Sequence, residues 1–185
     1  MMYELPTSLE VCGTVYEIRS DFRAALDICA ALEDPALDPQ DKALAALIIL
    51  YPAFENMPPE HYEEAIRQCC RFISGGVEES GRKGLKLVSW EQDIPYIIAP
   101  INRIVGREIR GIKYLHWWTF LSAFYEIGDC TFAQIVRIRN LKAKGKKLDK
   151  ADQEWYRQNR HLVDFKVKYT EAEETELERW IKTEK

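Results

Sequence analysis

Hydrophobic and polar positions alternate strictly at one place only, near the start of the chain. Leu9-Glu10-Val11 and Thr14-Val15-Tyr16-Glu17-Ile18 change sides at each residue, with Cys12-Gly13 between them. That pattern predicts a small β-hairpin closed by a two-residue turn. From there the period becomes helical. Phe22, Ala25, Leu26, Cys29 and Ala30 share a face behind a Ser20 or Asp21 cap, and Asp34-Pro35 stops the helix. Asp38-Pro39 starts a second helix, with proline in the first turn where its missing N–H costs nothing. That segment, through Leu44, Leu47, Ile48 and Tyr51, is apolar nearly all round and is expected at the centre of the core. Pro58-Pro59 opens a third helix, in which Tyr62, Ala65, Ile66, Cys69, Cys70 and Ile73 follow helical spacing up to Gly75-Gly76.

Residues 75–86 hold four of the nine glycines and read as a loop or hinge. A fourth helix follows Ser89, with Gln92 placed as in a capping box; Asp93 is the alternative cap. Trp90, Ile94, Ile97, Ile98, Ile101, Ile104 and Val105 form its stripe, and Pro95 and Pro100 predict a kink near Pro100. After Gly106 a fifth helix carries Tyr114, Trp117, Trp118, Leu121, Phe124 and Tyr125. A sixth carries Phe132, Ile135, Val136 and Ile138 and leaves through a lysine-rich exit. Asp149 caps a seventh with Trp155 and Tyr156, and a box of Thr170 and Glu173 caps a polar last helix with Leu177, Trp180 and Ile181. The expected fold is all-α, a bundle of about seven or eight helices with an N-terminal hairpin. Residues 1–74 and 89–185 are its two parts, joined by 75–88 into one compact unit.

Composition narrows the function little. A chain of 185 residues, 46% hydrophobic and 30% charged, is ordinary for a globular domain. No apolar run nears the roughly 18 residues of a membrane span. The first ten residues lack a basic stretch followed by an apolar one, so the expected location is a cytoplasm. Cysteines 12, 29, 69, 70 and 130 are odd in number and irregular in spacing, which suits reduced core filler better than disulfides. Charge is distributed more informatively. Residues 1–60 hold 11 acids and 3 bases, whereas residues 106–168 hold 7 acids and 14 bases. Such polarity suits self-association that weakens with salt.

Candidate chemistry is sparse. The three histidines form no HExxH, HxH or carboxylate cluster, and GxSxG, GxxxxGK[ST] and GxGxxG are missing. The expectation is therefore no catalytic residue, no metal and no cofactor. Asp93 lies at the edge of an apolar stripe and reads as a cap or as the partner of His116 or an arginine. Trp117 and Trp118 point about 100° apart on a helix, so both fill the core or one anchors a partner. Arg137, Arg139, Lys142, Lys144, Lys146, Lys147 and Lys150 are seven bases facing one acid, Asp149. No aromatic residue interleaves them for base stacking, so a partner-facing protein surface is favoured over nucleic acid.

Residues 90–160 carry a resemblance. Asp93 opening a helix, Gly106 closing it, then Leu115-His116-Trp117-Trp118, Phe120, Ile138-Arg139 and a lysine-rich exit are similar to the phage protein fifteen family. That family is encoded in the tail module of siphophages and prophages of Gram-positive hosts. The start, LPTSLEVCGTVYEIRSDFRAAL, resembles the family's start as well. Pro95, Pro100 and Arg107-Glu108-Ile109-Arg110 depart from its pattern. The resemblance implies a non-enzymatic tail assembly chaperone in the host cytoplasm, with the tape measure protein and the tail tube protein as partners. Trp117, Trp118, Arg137, Arg139, Lys142, Lys144, Lys146 and Lys147 are then the candidate partner-binding residues.

Overall fold

The computed structural model describes residues 4–77 and 84–166. The last helix expected after Thr170 lies outside the described residues, as does part of the glycine-rich segment. Strands β1 (Ser8–Val11) and β2 (Thr14–Glu17) form the hairpin, with Leu9 opposite Tyr16 and Val11 opposite Thr14. Cys12 and Gly13 both take positive φ, 49° and 76°, which is the turn whose twist matches paired strands.

Eight α-helices follow among the described residues: α1 (Phe22–Glu33), α2 (Pro39–Leu50), α3 (Tyr62–Ile73), α4 (Trp90–Val105), α5 (Trp117–Tyr125), α6 (Thr131–Ala143), α7 (Lys150–Gln158) and α8 (Arg160–Val163). Short 3-10 turns lead into α3 and out of α4. The all-α fold with its small hairpin is therefore the observed one. α8 was not foreseen, and α5 starts three residues later than its stripe suggests. Tyr114 lies in the extended segment before it, its hydroxyl 2.8 Å from Ser20 Oγ.

Caps follow side-chain chemistry. Asp21, Asp38 and Asp149 accept from the first-turn N–H groups of α1, α2 and α7. At α4 the expected box does not form. The Ser89 hydroxyl donates to Glu33, and Asp93 Oδ2 accepts from the Ser89 N–H at 2.9 Å. Gln92 turns instead to the chain near its C-terminal end, donating to the Leu162 and Asp164 carbonyls. α4 continues through both prolines. Each removes one intrahelical hydrogen bond, and burial of Ile97, Ile98, Pro100 and Ile101 works against that loss.

One apolar cluster joins both parts of the chain, from Val11 through Phe22, Leu50, Phe72, Ile101 and Trp117 to Phe132. α2 is not at its centre. Ala46, Leu47 and Leu50 face α1 and α3, while Leu44 and Ile48 are 42% and 49% exposed. An all-round apolar helix carries no periodicity to mark its inner face, so packing on one side alone was not legible.

Candidate functional site

The His116-Trp117-Trp118 stretch lies where four segments meet. Its backbone forms a short antiparallel bridge with the entry to α1: Trp117 N–H donates to Ser20 O at 2.8 Å and Phe22 N–H to Leu115 O at 2.9 Å. Asp21 also accepts from the Leu115 N–H at 2.9 Å. His116 caps α5, its Nδ1 accepting from the Trp118 N–H at 3.0 Å while Nε2 reaches Pro6 O at 2.9 Å. That geometry is met by the tautomer with the proton on Nε2. The two indoles then turn to the end of α3. Trp117 Nε1–H donates to Ile73 O and Trp118 Nε1–H to Phe72 O, each at 2.9 Å.

The end of α3 is shaped to receive them. Gly75, at φ 76°, closes the helix in a left-handed turn, with Gly75 N–H on Phe72 O and Gly76 N–H on Arg71 O. A Cβ on Gly76 would stand 3.1 Å from the Trp118 ring. Trp117 is 1% exposed and fills the core; Trp118 is half-buried. Trp117 is therefore no surface anchor, a correction to that reading, whereas Trp118 keeps a partly open flank.

Arg139 requires the same correction. It is 4% exposed, and all five of its N–H groups are engaged. Nε donates to Val163 O at 2.7 Å, Nη1 to Leu87 O and Asp93, and Nη2 to Asp93 and Leu162 O. Asp93 is fully buried and meets the guanidinium with both oxygens, at 2.5 and 2.9 Å. So Asp93 serves Arg139 and the start of α4, and His116 has other partners. The Phe165 ring covers the outer face of the guanidinium, 4.2 Å from Cζ.

Other candidate bases divide in two groups. Arg137 pairs with the buried Asp152. Lys142 reaches Asp164 at 2.5 Å and the Tyr156 hydroxyl at 2.6 Å. Lys144, Lys146, Lys147 and Lys150 are exposed and make no ion pair among the described residues. The basic surface proper is this loop between α6 and α7. Hydrophobic spacing gives no sign of Asp152, Asp164 and Phe165, and it marks Tyr156 only as an aromatic residue of α7, although Tyr156, Asp164 and Phe165 surround Lys142 and Arg139.

Asp164 has a pH signature. Burial works against its charge, yet hydrogen bonds from Lys142, Arg160 and Tyr156 together outweigh that and hold its carboxyl at about 2. An unfolded aspartate titrates near about 3.9. A carboxyl depressed on folding stabilises fully above the unfolded value and loses its effect as pH falls toward the folded one. Docking of α8 is thus expected to be constant from about pH 5 upward through neutrality and to loosen between about pH 4 and 2. Val163 methyl resonances report it. Asp164→Asn should flatten the acid limb, and an unchanged limb in that variant would contradict the assignment.

The sequence matches a family model, Bacteriophage Gp15 protein, over residues 1–165. The chain belongs to the bacteriophage Gp15 family. Membership gives this Gp15-family protein a structural or assembly role in a phage. No curated protein and no solved structure matches it. Among the described residues of the Gp15 chain, no helix is long and apolar enough to cross a membrane.

Proposed function

We propose that this Gp15-family protein is a non-enzymatic tail assembly chaperone that holds the tape measure protein in the host cytoplasm until tube subunits polymerise around it. The observation that carries the reading is the family match over residues 1–165. The side chains supply a second support. His116, Asp93 and Arg139, the buried polar groups most open to a chemical reading, are each engaged with backbone or with one another. The exposed lysine loop at 144–150 offers charge to an acidic partner surface and speeds encounter more than it adds affinity.

Co-expression of the full chain with the tape measure protein encoded beside it, followed by pull-down, tests the reading. Co-purification is expected, weakened by charge reversal at Lys144, Lys146 and Lys147. Mass spectrometry of purified particles separates a chaperone, which should be lacking there, from a minor tail component at fixed stoichiometry. Tight DNA binding lost on the same charge reversal would replace the proposal with a nucleic-acid role. Light scattering across a salt series tests the accompanying self-association, which should weaken as ionic strength rises.

A further inference from the structure

The α7–α8 arm lies outside the main apolar cluster and is tied to α4 and α6 by polar contacts. The continuous apolar cluster runs from Val11 to Phe132 and takes no residue from α7 or α8. Val163 is the buried apolar side chain that the arm contributes among the described residues. Beside Val163, a polar set reaches the arm from α4 and α6. Arg137 pairs with Asp152, Arg139 donates to the Leu162 and Val163 carbonyls, Gln92 to those of Leu162 and Asp164, and Lys142 to Asp164.

Such a seat is specified by α4 and α6 alone, so any copy of those helices can offer it. The loop at 144–149 decides whose arm fills it. α6 ends there in a left-handed turn at Gly145, φ 63°, with Gly145 N–H on Lys142 O at 3.0 Å and Lys146 N–H on Leu141 O at 2.9 Å. Lys144, Lys146 and Lys147 crowd like charges into this short turn, and like charges favour an extended connection. Apart from Gly145, residues 143–150 hold neither glycine nor proline, so Gly145 and the Asp149 cap are what separate α6 from α7.

We infer that the α7–α8 arm exchanges between copies of this chain, α7 and α8 of one copy seating on α4 and α6 of a second through the contacts they make within the monomer. Exchange of an identical element needs no new interface. The occupant of the seat is therefore a second copy, and the inference stands independently of the chaperone reading.

Two full-length variants test it. Arg137→Asp alone places two carboxylates at the seat, and Asp152→Arg alone places two guanidinium groups there. In a swapped heterodimer both seats are matched: one holds the reversed pair and the other the native one. After the two are mixed and annealed, light scattering and sequential capture on different tags should find at least tenfold more dimer than in either variant alone. The single chain with both changes should behave as the parent does. Gly145→Ala supplies an independent arm. No atom lies within 4 Å of an added Cβ there, so the change acts on the strained backbone turn alone. It should raise the dimer fraction of the parent several-fold. Equal dimer in mixed and unmixed samples, or a Gly145→Ala protein that remains monomeric at high concentration, overturns the inference.

Discussion

Arg139→Ala is expected to cost about 3–5 kcal/mol of folding stability, a large part of the ~5–15 kcal/mol that holds a domain together. The expectation rests on what the change leaves behind. Asp93 has no solvent exposure, so its charge would stay buried with only the Ser89 N–H as a partner. The carbonyls of Leu87 and Val163 would lose their donor in the same step, and that of Leu162 would keep only Gln92. Arg139→Lys should not rescue the loss, because an ammonium brings three donors without the planar fork that meets both oxygens of Asp93. A double change to Asp93→Leu with Arg139→Met separates the contributions. It removes both buried charges, which by itself is often neutral or favourable. The Leu87 and Val163 carbonyls still go without this donor, so recovery should be partial. Denaturant midpoints at unchanged slope measure each effect. Full recovery in the double variant would show that the ion pair matters and the carbonyl contacts do not.

This pair was partly legible beforehand. Asp93 stands three residues after Trp90 and four before Ile97, on the buried stripe of α4. Arg139 stands four after Ile135 and seven after Phe132, on the buried stripe of α6. Opposite charges on two inward stripes are expected to meet, because neither can be buried alone. Grouping Arg139 with the lysines by charge hid its phase. The helices, the hairpin and most caps follow from periodicity and turn residues, which are local signals. The inner face of α2 does not, since its apolar residues run all round and the neighbours decide which side is covered. The seat of the α7–α8 arm was hidden for a related reason. Gln92, Asp152 and Asp164 act across 15 to 72 positions of chain, and hydrophobic spacing carries no trace of polar contacts at that range.

Trp117→Ala should be as severe as the loss of Arg139, at about 3–5 kcal/mol, by the separate route of an emptied core. The Trp117 ring stacks on Phe120 at 5.4 Å, and Phe120 stacks in turn on Phe22 of α1 at 5.1 Å. Trp90 of α4 meets Trp117 edge-on at 5.7 Å. Removal of the indole therefore opens a void where α1, α4 and α5 converge, and it strips the donor from Ile73 O at the end of α3. Trp117→Phe isolates the second effect. The ring is largely kept while the N–H is lost, and an unmet carbonyl in this part-buried position should cost about 1 kcal/mol. The same change at Trp118 removes the donor to Phe72 O, but that indole is half-buried and water can take its place. Trp118→Phe should thus be the milder of the two phenylalanine variants, a ranking opposite to that of an exposed Trp118 anchoring a partner on a rigid core. Stability measured by denaturation, beside pull-down of the tape measure protein, resolves the matter. If Trp118→Phe abolished capture while leaving stability intact, the tryptophan pair would be a binding element and its role in closing α3 secondary.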